Sequence, residues 1–293
     1  TTTTTRRQPD VLIRNSAETA YLGDNVYNAD GTNQTKAQTV SNSAKATYAL
    51  KVQNDGNVTD SVKVTGTAAA TGWTIRYFDA LSGGTDVTSS VTGTGWTVLS
   101  MAAGAVKEFR VEVTPGATIA GGALHHVLVT ATSTGDATKK DVVKATTTTA
   151  TRRQPDGMVR NAADTAYVGD NNYEATPTAA QTKAQTVANG AKATYMLKVQ
   201  NDGNVTDSVK VAGTAAATGW TIRYFDALSG GTDITSSMTG TGWTPAALAA
   251  GAAKEFRVEV TPGTTIASGA LHHVLLTATS TGDATKKDVV KAT

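Results

Sequence analysis

The chain contains itself twice. Arg6-Arg7-Gln8-Pro9-Asp10 returns as Arg152-Arg153-Gln154-Pro155-Asp156, and the later landmarks Trp73 and His125 return, one position further along, as Trp220 and His272. The additional residue falls between Tyr27 and Thr35, where the second copy carries an insertion containing Pro177. Leu50–Val64 is identical to Leu197–Val211, and Gly66–Asp86 is identical to Gly213–Asp233. A repeat of this length is a whole domain rather than one turn of a solenoid. Strand faces and turns are copied alike, so both copies must share one fold. Near-identical neighbours raise the risk of misfolding across domains, and a chain that tolerates the risk uses the repetition itself.

The joint between the copies sharpens this. The spacer Ala145–Thr151 runs Ala-Thr-Thr-Thr-Thr-Ala-Thr. The last two residues, Ala292 and Thr293, followed by Thr1–Thr5 spell the same spacer with one change, Thr4 for Ala150. The tail therefore rejoins the head as the internal joint does, which reads as one period of a longer tandem array or of a head-to-tail polymer. The chain begins on Thr without Met or a signal peptide, as a mature or trimmed polypeptide would. The expected domains are 1–146 and 147–293, with a threonine-rich linker at about 145–151. A β-branched run stays extended and stiff, so the linker is expected to act as a spacer.

Within one copy the hydrophobic period is two. Tyr48, Leu50 and Val52 alternate with Thr47, Ala49, Lys51 and Gln53, the signature of a half-buried strand. Asn54-Asp55-Gly56-Asn57 supplies a turn, because Asp-Gly accepts positive φ at low cost. A partner strand carrying Val62 and Val64 is expected to follow as a hairpin. Trp73, Ile75 and Tyr77 form the next inward set. A short strand is expected near Val87–Val91, then Phe109, Val111 and Val113 alternate with Glu108, Arg110 and Glu112. Leu124–Thr132 and Asp141–Thr146 make the final pair. Many short strands, regular turns and no helical period predict an all-β fold: two tandem immunoglobulin-like antiparallel β-sandwich domains.

The residues Leu50-Lys-Val-Gln-Asn-Asp-Gly-Asn-Val-Thr-Asp-Ser-Val62, then Gly72-Trp73, then Ala103-Gly104 ahead of Lys107-Glu-Phe-Arg-Val-Glu-Val-Thr-Pro115 carry a resemblance. They resemble the bacterial and archaeal immunoglobulin-like modules of the α-galactosidase-associated NEW3 type and their DUF11 and CARDB relatives. The resemblance covers about residues 45–146 and 192–293. It implies sandwiches that serve as spacers, adhesive stalks or accessory domains, without catalysis.

No constellation for chemistry emerges. Cysteine is absent, which removes disulfides, thiolate nucleophiles and Cys-ligated metals together. Consecutive residues on a strand face opposite ways, so His125-His126 and His272-His273 cannot each clasp one metal. Asp24, Asp30, Asp55, Asp60 and Asp136 read as turn residues without the spacing of a calcium loop. Glu108, Arg110 and Glu112 form a charge ladder on one strand face. No catalytic residue and no cofactor is expected. With 17% charged residues and a net charge of +2, no field recruits nucleic acid, and no run of about 18 apolar residues inserts into a membrane.

Asn33, Asn57 and Asn204 each begin an Asn-x-Thr triplet and are candidate N-glycan carriers. Thr147, Thr148 and Thr149 in the linker are candidate O-glycan carriers. The sequence-based expectation for function is a structural subunit of an extracellular or cell-surface filament, pairing with copies of itself. The segment chosen to join units is the first thirty residues of each copy. Val11, Leu12 and Ile13, with Met158 and Val159 in the second copy, would add a strand to the preceding domain. Tyr21, Leu22 and Tyr27, with Tyr167, Val168 and Tyr173, would wedge the junction. The same segment could instead be the first strand of its own domain. The rival reading is a stalk or carbohydrate-binding accessory region of a larger secreted enzyme or adhesin, favoured by a row of exposed aromatics; only Phe78 points outward by alternation.

Overall fold

The computed structural model describes residues 2–293. The chain divides into two compact units, Thr1–Ala150 and Thr151–Thr293, so the boundary falls after Ala150 rather than after Thr146. Each unit is an all-β, immunoglobulin-like sandwich of two sheets around its own core.

In the first unit the strands are β1 (Pro9–Asn15), β2 (Thr35–Val40), β3 (Ala46–Asn54), β4 (Asp60–Gly66) and β5 (Trp73–Phe78). After a short helix α1 (Thr88–Thr92) come β6 (Trp96–Met101), β7 (Val106–Pro115), β8 (Leu124–Ser133) and β9 (Lys140–Thr149). One sheet has the order β1-β3-β7-β5 and the other β2-β9-β8-β4-β6. The alternation directs the packing: Tyr48, Leu50, Val52, Phe109, Val111 and Val113 from one sheet meet Val62, Val64, Val127, Val129 and Ala145 from the other, all fully buried or nearly so.

Three expectations are corrected here. β3 and β4 are not a hairpin; they lie in different sheets. Both edges of β3 are occupied, by β1 and β7, so β4 has no edge to join and the chain crosses the sandwich. Asn54 turns the corner: its Oδ1 accepts the Gly56 N–H at 3.0 Å, and its Nδ2 donates to the carbonyls of Val58 and Met101. Second, the strand expected at Val87–Val91 is helix α1. Asp86 accepts the Thr88 N–H at 2.9 Å, and the i, i+4 spacing brings Val87 and Val91 together against the core. Third, the sandwich is not wholly antiparallel, because β2 runs parallel to β9, from Thr35 opposite Lys144 to Val40 opposite Thr149.

The second unit repeats this plan with β10 (Pro155–Asn161), β11 (Thr182–Lys183), β12 (Ala193–Asn201), β13 (Val209–Gly213), β14 (Trp220–Phe225), helix α2 (Thr235–Thr239), β15 (Ala253–Pro262), β16 (Val274–Ser280) and β17 (Lys287–Ala292). Its sheets are β10-β12-β15-β14 and β11-β17-β16-β13. The counterpart of β6 shrinks to bridges at Asp207–Leu248 and Val211–Trp243. Pro245 stands where the first unit has Val98, and proline has no N–H for a ladder.

Candidate assembly site

The chain that leads into each sandwich is strapped to the β3–β4 corner. Arg6 N–H donates to Asn57 Oδ1 at 2.7 Å, Asn57 Nδ2 donates to the Thr4 carbonyl at 2.8 Å, and Asp55 N–H donates to the Gln8 carbonyl. The Arg7 guanidinium reaches Asp60 Oδ1 at 2.8 Å. Asp60 is buried and also accepts from Ser133 Oγ, so it is a structural anchor rather than the turn residue expected. The second unit reproduces the strap through Arg152 N–H to Asn204 Oδ1 and Arg153 to Asp207. Ahead of the strap, Thr2, Thr3, Thr4 and Thr5 are exposed and belong to no strand.

Beyond the strap, β1 enters its own sheet. Val11 pairs with Val52, Leu12 with Lys51 and Ile13 with Leu50, and all three are at most 1% exposed. Met158 and Val159 are buried in the same way, opposite Lys198 and Leu197. These five residues are therefore core of their own units and are withdrawn as a strand for a neighbour. The reason is the free edge of β3 (and of β12), which the nearest apolar run in sequence occupies. The aromatic set is likewise tied down locally. Tyr21 donates to Glu108 at 2.8 Å and Tyr27 to Asp55 at 2.8 Å; Tyr167 and Tyr173 repeat this with Glu255 and Asp202. Leu22 and Val168 bridge to Ile13 and Val159. The outward Phe78 lies under the Arg110 guanidinium, 3.9 Å from its ring centre, so it offers no open platform.

A buried carboxylate set that the sequence did not reveal locks this segment down. Asp141, on β9, accepts from the N–H groups of Val11 and Asn28 and from Gln34 Nε2, all at 2.8–2.9 Å. Asp10, fully buried, accepts from Asn25 N–H at 2.9 Å. Burial raises its pKa to about 8, with a further push from Asp141. Asp156 is raised to about 7, again chiefly by burial. A carboxylate in a turn and one in a core look alike in sequence; only partners distant in the chain, such as Val11 and Gln34 for Asp141, distinguish them.

The threonine run is the largest departure from expectation. Thr147, Thr148 and Thr149 are not linker; they complete β9, between β2 and β8. Thr147 and Thr149 point into the sandwich and are fully buried, which removes them as glycan carriers in the folded unit. Tyr48 donates to the Thr146 carbonyl at 2.6 Å and lies 3.0 Å from Thr147 Oγ1. Thr149 exchanges backbone bonds with Gly122 and Ala123 across the strand end. Ala150 N–H bonds the Val40 carbonyl in the first unit, and Arg152 N–H is already bonded to Asn204 in the second. Only Thr151 lies between these anchors. Of the Asn-x-Thr sites, Asn57 and Asn204 are engaged in the straps, and Asn33 is exposed in a left-handed conformation with φ 60°.

In the second unit the place that corresponds to Thr147–Thr149 is a groove of about 400 Å³. One wall is Gln185–Ala188, the counterpart of Gln38–Ser41; the other is Gly269–His272, the counterpart of Gly122–His125. Tyr195 and Trp220 lie in the lining. Here β11 pairs over only two residues, Thr182 and Lys183, where β2 pairs over six. Residues 271–273 are outside any strand, whereas β8 begins at Leu124. Trp220 stacks on His272 with ring centres 5.2 Å apart, as Trp73 does on His125. Burial, with the neighbouring imidazole, lowers the pKa of His125 and of His272. Among the described residues no three His, Cys, Asp or Glu are grouped to hold a metal, and no helix is long and apolar enough to cross a membrane.

The sequence matches no known family and no curated protein. Its likeness to solved structures is remote. The major pilin subunit BcpA of Bacillus cereus aligns with 79% of this chain and 67% of its own, at 10% identity and a TM-score of 0.30. The secreted serine protease VesC of Vibrio cholerae aligns with 79% of this chain at 11% identity and a TM-score of 0.26. The VesB protease of the same organism aligns with 43% at 13% identity and a TM-score of 0.26. The chain spans 46% of the VesC chain and 32% of the VesB chain.

Proposed function

We propose that the chain is a structural subunit of an extracellular or surface fibre, without catalytic activity. In this reading, each sandwich in the fibre is completed by the threonine strand that leads into the next. The observation that carries it is the double role of Thr147–Thr149. They are core strand of the first unit and, a few residues on, the same chain becomes the strap of the second. The straps, each anchored on a buried carboxylate, Asp60 or Asp207, favour a mechanical role over a chemical one.

Negative-stain microscopy of the purified chain over a range of concentrations tests the reading. Uniform unbranched filaments are expected. Dispersed single particles at every concentration would refute self-assembly and point instead to a stalk or accessory region.

A further inference from the structure

We infer that the groove of the second unit receives the first threonines of a second copy of this chain. They would enter as a continuation of β17, with Thr1 following Thr293. This rests on the fibre reading and names the contact that would build it.

The first unit displays the filled form of the same site. There Thr147, Thr148 and Thr149 lie parallel to Gln38, Thr39 and Val40 and antiparallel to His125 and Leu124. Both walls are retained in the second unit as Gln185–Val187 and Leu271–His272, with main-chain edges that a strand can join. Two open edges on either side of a slot define one added strand, and main-chain bonds to both sides supply affinity without regard to sequence. Specificity comes from what must point inward. Positions 147 and 149 are fully buried, so the entering side chains at these positions must be small, and β-branched residues suit a strand. Thr1 and Thr3 meet that requirement, and Tyr195 is positioned toward Thr293 as Tyr48 is toward Thr146.

The donor is equally well defined. Thr1–Thr3 precede Arg6-Arg7-Gln8-Pro9-Asp10 at the same distance at which Thr147–Thr149 precede Arg152-Arg153-Gln154-Pro155-Asp156. Thr2 and Thr3 are exposed and unpaired in any ladder, while Thr4 is held by the Asn57 strap. A copy entering the groove therefore presents its own strap at the spacing found inside one chain. Filling the slot would cover groove residues left more open than their counterparts, among them Leu271 at 71% exposure against 57% for Leu124. A strand seated in the groove would give the second unit the main-chain pairing and apolar cover that Thr147–Thr149 give the first, which supplies the driving force for association.

Three forms of the full chain test this. In one, Thr-Thr-Thr-Ala is appended after Thr293, supplying the residues that follow Thr146 in the first unit. In another, Thr1–Thr5 are deleted. The third is the unaltered chain. The appended form is expected to melt several degrees higher in its second unit and to lose self-association, since the slot is filled from within. The deleted form is expected to stay folded and to lose association as well. A synthetic Thr-Thr-Thr-Thr-Thr-Arg-Arg-Gln peptide is expected to saturate the deleted form, read by Trp220 fluorescence, and not the appended form. Filaments that persist in the appended form would overturn the groove contact while leaving the fibre reading standing. Failure of the unaltered chain to associate would overturn both. Peptide binding without association of the unaltered chain would overturn the second copy as occupant and assign the groove to a continuation of the same polypeptide.

Discussion

The Tyr48 hydroxyl lies 3.0 Å from Thr147 Oγ1 and donates to the carbonyl one residue earlier, at Thr146. That contact joins the middle of the first unit's opposing sheet to the end of β9, so it measures how firmly the threonine run belongs to the sandwich. Tyr48→Phe removes the hydroxyl that the Thr146 carbonyl and the buried Thr147 hydroxyl share. The expected loss is about 1–2 kcal/mol of stability in the first unit, read as a lower urea midpoint with an unchanged slope. If Thr146–Thr149 were a linker, the substitution would cost almost nothing.

Thr149 has the opposite defect. Its Oγ1 is buried and makes no hydrogen bond. Thr149→Val keeps the shape and β-branching and removes the unpaired hydroxyl, so a gain of about 1 kcal/mol is expected. Thermal unfolding checks it. Thr148→Val, on the outer face of the same strand, is expected to change stability by less than about 0.5 kcal/mol.

Asp10 and Asp156 set the pH dependence. Burial raises their folded-state pKa values to about 8 and about 7 from an ordinary 3.8. Between 3.8 and those values the folded chain keeps protons that the unfolded chain has released, so stability falls as pH rises through the window and levels off above it. Melting temperature is therefore expected to decline from pH 5 toward about 8. Asp10→Asn retains an acceptor for the Asn25 N–H and is expected to flatten that decline in the first unit alone.

Arg7 and Arg153 hold the straps. Each guanidinium reaches a buried carboxylate at 2.8 Å, Asp60 or Asp207. Arg7→Ala leaves Asp60 with Ser133 as its remaining side-chain donor, at an expected cost of about 2 kcal/mol. Arg7→Lys restores charge but not the reach of the planar fork and should recover only part. Limited proteolysis should show faster cleavage ahead of Pro9 in Arg7→Ala, which an effect confined to the core would not produce.

Gly66 and Gly213 report on packing rather than backbone strain. A Cβ at Gly66 would collide with the Tyr77 ring, 2.6 Å from its Cζ, and Gly213 meets Tyr224 at the same distance. Both tyrosines are fully buried. Gly66→Ala is expected to lose about 1–3 kcal/mol through displacement of Tyr77, visible as a lower melting temperature.

The amino-acid sequence by itself determined which side chains face inward. Tyr48, Leu50, Val52, Ile75, Tyr77, Phe109, Val111 and Val113 are buried as their alternation requires, because the period of a strand is a local property of the backbone. It also determined that whatever the first copy folds into, the second would repeat. The tertiary structure decided which edges pair. Val11–Ile13 had an apolar pattern fit for any open edge, and the free edge of β3 in the same unit was the nearest. Thr147–Thr149 suited a stiff linker and a central strand equally, since β-branching favours extended backbone in both. They became strand because β2 and β8 leave a slot between them, and that slot exists only once Gln38–Val40 and Leu124–His125, more than eighty positions apart in the chain, have come together. The burial of Asp141 has the same origin: its partners Val11, Asn28 and Gln34 lie more than a hundred positions away in the chain, where no local pattern could announce them.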